Sequence, residues 1–414
     1  MGEGLARRLG TSDAVAVGLS AMIGAGVFSA FAPAASAAGP WLLAALALAA
    51  VVAYCNATSS ARLAALYPES GGTYVYGRRR LGPLWGYLAG WGFTVGKTAS
   101  CAAMALTFAA YVAPALARPL AIAAVVGVTV LNLYGVRRSA MAARVMVAFV
   151  LAVLAAVVAA GLLGTPHTPS PIGDQQAFGG HDVWGVLQAA GLLFFAFAGY
   201  ARIATLGEEV RDPSRTIPRA IGLALGVTLV VYVLVALAAL RTLGAAGLGA
   251  SEAPLADVVG ASGAGRLRPV VGVGAAVAAL GALLALVLGV SRTVLAMARN
   301  HDLPAVLAAG RTPRRAEVAV GVAVVILLLA ADLRGAIGFS SFGVLGYYAV
   351  ANASALTLSR AEGAPPRVIP VLGLVLCLVL AATLPLESVV AGAAVFAVGA
   401  AVWVIRTRAW RRGV

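Results

Sequence analysis

The chain has 414 residues, of which 61% are hydrophobic and only 11% charged. A water-facing coat for a soluble protein of this size cannot be built from so few polar groups, so the solvent must be lipid. The formal charge of +15 falls in short arginine clusters between apolar runs, which argues against a nucleic-acid partner.

A hydrocarbon core of about 30 Å takes about 20 apolar residues per helical crossing. Runs such as 145 to 163 and 222 to 240 are apolar throughout, without the in-out alternation of a barrel strand, so the fold class is all-α integral membrane. Breaks at Gly, Pro and charge clusters give about twelve spans. The first six lie near 13–38, 42–66, 83–112, 119–135, 140–163 and 183–206. The next six lie near 218–240, 267–298, 316–331, 334–358, 367–384 and 386–406. Arg7 and Arg8 precede the first span without a small-residue cleavage site, so no cleaved signal peptide is expected.

With this count, twenty-three arginines fall on one side, and five, Arg118, Arg241, Arg266, Arg268 and Arg334, on the other. Positive charge accumulates on the cytoplasmic side, so both termini are expected there. Cys55, Cys101 and Cys377 lie in apolar stretches without metal-ligand spacing, and neither a zinc site nor a disulfide framework is indicated.

Two spans carry glycine near mid-depth. The first contains Met22-Ile23-Gly24-Ala25-Gly26-Val27-Phe28 and the sixth Phe194-Phe195-Ala196-Phe197-Ala198-Gly199-Tyr200. Unwound backbone at membrane depth is tolerated where it lines a cavity, and the freed N–H groups of a half-helix suit a carboxylate. Small residues also permit close helix packing, so the motif alone leaves both readings open. Each interrupted helix opens a five-helix unit, the pattern of an inverted repeat whose substrate sits between the breaks.

Three segments carry a resemblance: Gly24 to Phe28, Tyr67-Pro68-Glu69-Ser70-Gly71-Gly72-Thr73-Tyr74-Val75-Tyr76, and Gly207-Glu208-Glu209-Val210-Arg211-Asp212-Pro213-Ser214-Arg215. Together with Ala298-Arg299-Asn300-His301-Asp302-Leu303-Pro304 they resemble the amino acid, polyamine and organocation permease superfamily along nearly the whole chain. The resemblance implies the five-plus-five inverted repeat of the leucine transporter fold, with residues 1–163 and 183–358 as the repeats, an extracellular loop at 164–182, and two further helices within 359–414. It implies a substrate carboxylate held at Gly24, Ala25 and Gly26, and an ammonium received by carbonyls near Met22, Ile23, Phe195, Ala196 and Ala198. Phe195 is then an aromatic gate, and Ala198, Gly199 and Tyr200 shape the side-chain pocket.

Two departures narrow the substrate. Ala201 and Arg202 stand where many relatives carry a carboxylate, which disfavours cationic side chains. Around Ala285 and Leu286 the eighth span is aliphatic, leaving sodium few oxygen ligands. Lys97, the chain's one lysine, lies half-way along the third span, where an ionisable group is costly. It is a candidate coupling residue, through proton exchange or as a fixed ammonium in place of sodium; a lysine lining a vestibule without a coupling role is the alternative. Glu208, Glu209 and Arg202 are candidate gate residues, the glutamates facing Arg78, Arg292 or Arg299. Tyr67 to Gly77 reads as a short cytoplasmic element and lid.

The expectation is a secondary active transporter importing small neutral amino acids across a bacterial inner membrane, and not an enzyme, since the spans lack paired carboxylates, a His-Asp pattern or a phosphate loop. Proton coupling is expected, with obligate exchange of one amino acid or amine for another as the alternative. No cofactor or metal is implied, and the oligomeric state is not legible.

Overall fold

The computed structural model describes residues 9–68, 71–134, 140–165, 182–204, 210–308 and 314–412. Among these the regular elements are helical, with one isolated parallel bridge between Leu9 and Val210.

The first predicted span is three helices, α1 (Thr11–Met22), α2 (Ala25–Ser29) and α3 (Phe31–Ala38). Pro33 accounts for the second interruption, because its ring crowds the carbonyl of Ser29, four residues back, and it donates no hydrogen bond. An uninterrupted α4 (Leu42–Leu66) follows, then the short α5 (Thr73–Arg80). The next helix, α6 (Pro83–Val112), opens with Pro83 at its first position, where the missing N–H removes no bond. After it come α7 (Ala117–Leu133) and α8 (Ala140–Leu163). The sixth predicted span is α9 (Val183–Phe197), a tight turn at Ala198–Tyr200, and α10 (Ala201–Ala204). Asp182 caps α9 by accepting from the Gly185 N–H at 2.9 Å.

Two features beyond this point differ from the sequence reading. Helix α11 (Pro213–Ala250) starts five residues before the expected 218, because Pro213 occupies the opening position and Pro218 falls in the second turn. It also continues past 240 through a kink at Gly244, where φ is 65°. A short α12 (Pro254–Ala261), absent from the sequence reading, then precedes α13 (Arg268–Arg299). The chain closes with α14 (Arg314–Ala330), α15 (Leu333–Leu356), α16 (Val368–Thr383) and α17 (Leu386–Arg412).

Among the described residues, nine stretches of helix are long and apolar enough to cross a membrane. Their outer surfaces carry exposed Val145, Phe149, Leu223, Val230 and Ile405, which suits lipid and not water. Lipid gives helices little hydrophobic reason to associate, so packing depends on small residues that let backbones meet. At the centre, α6 packs against α13 and α15, and a Cβ added to Gly343 of α15 would lie 2.8 Å from the Gly92 carbonyl oxygen and 2.9 Å from Gly96 Cα. The core is therefore backbone against backbone at this crossing.

Candidate substrate site at the paired helix breaks

The two interruptions lie against each other. A Cβ on Gly26 would sit 2.8 Å from Ala196 Cα, and one on Gly199 would sit 2.4 Å from the Ala21 carbonyl carbon and 2.6 Å from Met22 N. Each break thus presents a bare glycine to the backbone of the other. Close packing and interruption are here the same device. Gly24 is approached from α13, where Ala282 Cβ lies 3.1 Å from the place its own Cβ would take.

A helix that stops leaves carbonyls without an intrahelical partner. At these breaks the hydroxyl of Tyr232, on α11, lies 2.6 Å from the Met22 carbonyl oxygen and 3.0 Å from that of Ala196. A single proton is shared between two acceptors, one on each broken helix. The Tyr232 ring is fully buried, edge-on to Phe31 at 5.9 Å and to Phe197 at 5.0 Å between centroids. Sequence reasoning missed this residue. Its signal was available: Tyr232 is the one aromatic in the aliphatic run 221–240, and a buried tyrosine hydroxyl needs a partner.

The other residues singled out from the sequence divide clearly. Met22, Ile23, Gly24, Gly26, Phe195, Ala196, Ala198 and Tyr200 are buried around the breaks, Gly199 is partly buried there, and Ala25 begins α2. Phe194 packs edge-on to Tyr348 at 5.7 Å and Phe197 against Tyr232, and Phe195 is buried in the same core at 7% exposure. Lys97 is buried on α6, and Phe93, one turn earlier on the same helix face, lies 5.1 Å from the Tyr347 ring on α15. Arg202 is half-buried in α10. Glu208 and Glu209 lie outside the described residues. Among the described residues no group of three or more His, Cys, Asp or Glu side chains is placed to hold a metal ion.

A sequence profile for a family described as Amino acid permease matches residues 9–406. The chain belongs to the amino acid permease family. It is 62% identical over 412 residues to an uncharacterized transporter of Mycobacterium tuberculosis, covering 99% of this chain and 93% of that one. To the branched-chain amino acid permease BcaP of Bacillus subtilis it is 25% identical, over 91% of this chain and 88% of the relative. To the chloroplastic cationic amino acid transporter 7 of Arabidopsis thaliana it is 28% identical, over 85% and 65%. The permease is accordingly a multi-pass membrane protein of a transporter family.

Side-chain ties join helices at both ends of the permease. At one end the Tyr111 hydroxyl donates to the Phe28 carbonyl at 3.0 Å and accepts from the Leu255 N–H at 3.1 Å, joining α6, α2 and α12. At the opposite end Asp302, its carboxylate 2% exposed, accepts from Tyr74 at 2.7 Å, Arg78 at 3.0 Å and Arg406 at 2.7 Å. The sequence reading offered Arg78 to Glu208 or Glu209; here Asp302 engages it. Burial, and then the hydrogen bond to Asp302, holds the Tyr74 hydroxyl well above its ordinary range, so it remains a donor. Asp302 is aimed by the end of α13: His301 takes φ 58°, and the N–H groups of His301 and Asp302 return to the carbonyls of Ala298 at 3.1 Å and Met297 at 2.7 Å. This is the left-handed helix stop that glycine usually makes, carried here by histidine. Helix α5 is also tied through Arg80 to Glu362, and α1 through Asp13 to Arg144 of α8.

Proposed function

We propose that this permease is a secondary active transporter that imports small neutral amino acids by alternating access, coupled to protons. The observation that carries the reading is the contact between the two breaks, with carbonyls from both meeting at one point beside Tyr232. Carbonyl oxygens converging from two helices suit an ammonium, and the N–H groups opening α2 at Gly24, Ala25 and Gly26 suit a carboxylate. An α-amino acid carries both charges on one carbon. In this reading its ammonium competes with the Tyr232 hydroxyl for Met22 and Ala196, with the Ile23, Phe195 and Ala198 carbonyls close by. Phe195 closes over the substrate, and Ala198, Gly199 and Tyr200 border its side chain. Ala201 and Arg202 follow the break, so no carboxylate there balances a cationic side chain. The relative named for branched-chain amino acids agrees with a neutral substrate; the one named for cationic amino acids does not, and the neutral reading rests on Ala201 and Arg202.

The architecture that goes with this function has twelve crossings. Residues 1–163 and 183–358 form inverted five-helix repeats of the leucine transporter type, 164–182 is an extracellular loop, and 359–414 supplies two final helices and a cytoplasmic terminus. The arginine distribution supports both termini in the cytoplasm of a bacterium, with the chain in the inner membrane. Lys97, buried beside the α6–α15 crossing, is the coupling residue, and Arg202 with Glu208 and Glu209 gates the cytoplasmic end.

The test is uptake of radiolabelled amino acids into proteoliposomes with and without an inward proton gradient, for wild type and Lys97→Ala. Gradient-driven accumulation of a neutral amino acid, lost in the variant, is expected. Uptake that needs internal amino acid and ignores the gradient would make the protein an exchanger and Lys97 structural.

A further inference from the structure

Five tyrosines form a file from the break in the sixth span to the end of the molecule where α5 lies. Tyr200, at the break, and Tyr348, on α15, have ring centroids 5.2 Å apart. Tyr348 and its neighbour Tyr347 are 5.1 Å apart. The Tyr347 hydroxyl accepts from the Thr73 N–H at 2.9 Å, at the first residue of α5. Three residues on, Tyr76 is close enough to Tyr347 to feel its charge, which adds to burial in keeping the Tyr76 hydroxyl protonated. Tyr67 stacks on Tyr76 at 6.2 Å and lies beneath the guanidinium groups of Arg79 and Arg80, each 5.5 Å from its ring centroid. Arg80 is in turn held by Glu362.

The hydroxyls of Tyr76, Tyr200 and Tyr348 are buried with no hydrogen-bond partner, as are Ser60 Oγ and Asn56 Nδ2. Those of Tyr200 and Tyr348 are near enough to interact, on rings 5.2 Å apart, although neither makes a hydrogen bond of ordinary geometry. So many orphans along one file is unusual, since buried polar groups are nearly always satisfied by protein or by ordered water. The file is flanked by amides that would orient such water. Asn352 Nδ2 donates to Asn56 Oδ1 at 2.6 Å and to the Tyr348 carbonyl at 3.0 Å, while Asn352 Oδ1 accepts from Ser59 at 2.7 Å. Cys377 of α16 donates to the same Asn56 oxygen at 3.3 Å. Room for this amide pair comes from Gly373, where a Cβ would lie 2.6 Å from Asn352 Oδ1. Polar groups from four helices are thus kept inside a membrane-embedded core, which is costly unless they serve a pathway.

We infer that Tyr200, Tyr348, Tyr347, Tyr76 and Tyr67, with water bound at their unpartnered hydroxyls, form a ladder that passes protons between the helix breaks and the α5 end of the permease. The inference rests on the proton coupling proposed above and supplies its route. Lys97 is one turn from Phe93, whose ring touches Tyr347, so the candidate coupling residue shares a helix face with a side chain that packs on the ladder. In each transfer a hydroxyl or water oxygen takes a proton on a lone pair and releases its own to the next oxygen. The proton enters at Tyr200, beside the helix breaks, and ends in bulk water beyond Tyr67, and the ladder regains its composition when its members reorient. No oxidant or other reactant is needed.

Two readouts test this. The first is X-ray hydroxyl-radical labelling of the full chain in nanodiscs, read by mass spectrometry, since radicals form where water is bound. Tyr200 and Tyr348 are expected to be modified as readily as the exposed Tyr134, and the equally buried Tyr232, which has partners, is expected to be spared. The second is transport by Tyr348→Phe and Tyr76→Phe, which keep the rings and remove the hydroxyls. Gradient-driven accumulation is expected to fall at least as far as in Lys97→Ala, with counterflow exchange within about twofold of wild type, a difference of about 0.4 kcal/mol in barrier. Unlabelled Tyr200 and Tyr348, or phenylalanine variants that accumulate like wild type, would overturn the ladder and leave proton coupling standing. A wild type that ignores the gradient would overturn the coupling itself and, with it, the ladder's cargo, whatever the labelling shows.

Discussion

The hydroxyl of Tyr232 lies 2.6 Å from the carbonyl oxygen of Met22, 210 residues away in sequence, and the same hydroxyl reaches Ala196 at 3.0 Å. It is a side-chain donor that spans both broken helices. Removing it in Tyr232→Phe leaves two buried carbonyls short of a donor, a cost of about 1–3 kcal/mol. Thermal unfolding in detergent should fall accordingly. A bound neutral amino acid, whose ammonium restores the missing donor, should then raise the melting temperature of the variant more than that of wild type. Equal shifts in both proteins would mean that substrate does not meet these carbonyls.

The glycine contacts predict a graded series. In Gly26→Ala and Gly199→Ala the new methyl meets backbone of the other break at 2.8 Å and 2.4 Å, and backbone cannot step aside as a flexible side chain can. Uptake should be lost in both, with folded protein recovered in lower yield. Gly222 and Gly226 on α11 have nothing within 4 Å of where a Cβ would go. Their alanine variants should transport normally and gain about 0.5–1 kcal/mol from helix propensity. If all four behaved alike, the contact between the breaks would have no special weight.

Asp302 predicts an asymmetry between partners. Its carboxylate is 2% exposed, whereas Arg78 and Arg406 are 38% and 36% exposed. In Asp302→Ala two guanidinium groups and the Tyr74 hydroxyl lose their acceptor at once, but the arginines can turn to water. The loss should therefore stay below the 3–5 kcal/mol of a wholly buried pair, at about 1–2 kcal/mol, and Arg78→Ala should cost less. A double-mutant cycle between Asp302 and Arg406 should return a coupling of about 0.5 kcal/mol or more. Additive losses would show that the two do not act together.

How much of this was legible beforehand follows from which constraints are local. Lipid forces each crossing into a long apolar run, so among the described residues helix was found in every expected span, with ends displaced at Pro213 and where α11 runs on past 240 through the kink at Gly244. The breaks were legible because glycine at membrane depth is a local signal. What escaped were pairings between residues distant in sequence. Tyr232 looked like one aromatic among aliphatics, and Asp302 sat in a segment valued for resemblance while its carboxylate went unread. Nor did the sequence foretell α12, whose eight residues are mostly apolar but too few for a span.

Glu362 offers a prediction about pH. Its carboxylate is held down to about 2 from an ordinary 4.5, chiefly by the hydrogen bond from Arg80 and then by the N–H and hydroxyl of Ser359. Those two contacts to Ser359 measure 2.8 Å and 2.9 Å. A carboxylate whose folded value lies below its unfolded one favours the folded state once the unfolded chain has ionised. The contribution is therefore complete above the ordinary value and fades as acid carries the pH from there toward about 2. Glu362→Gln removes the charge at every pH. Wild type should thus unfold at a higher temperature than the variant near neutrality, and the gap should narrow steadily as the buffer is taken below the ordinary carboxylate range. Glu362 is partly exposed and Arg80 is not the only cation near Tyr67, since Arg79 shares that ring, so high salt should shrink the neutral-pH gap as well. A gap that stays constant with both pH and salt would assign Glu362 to the packing of its turn, and the tie between α5 and the segment after α15 would then owe nothing to charge.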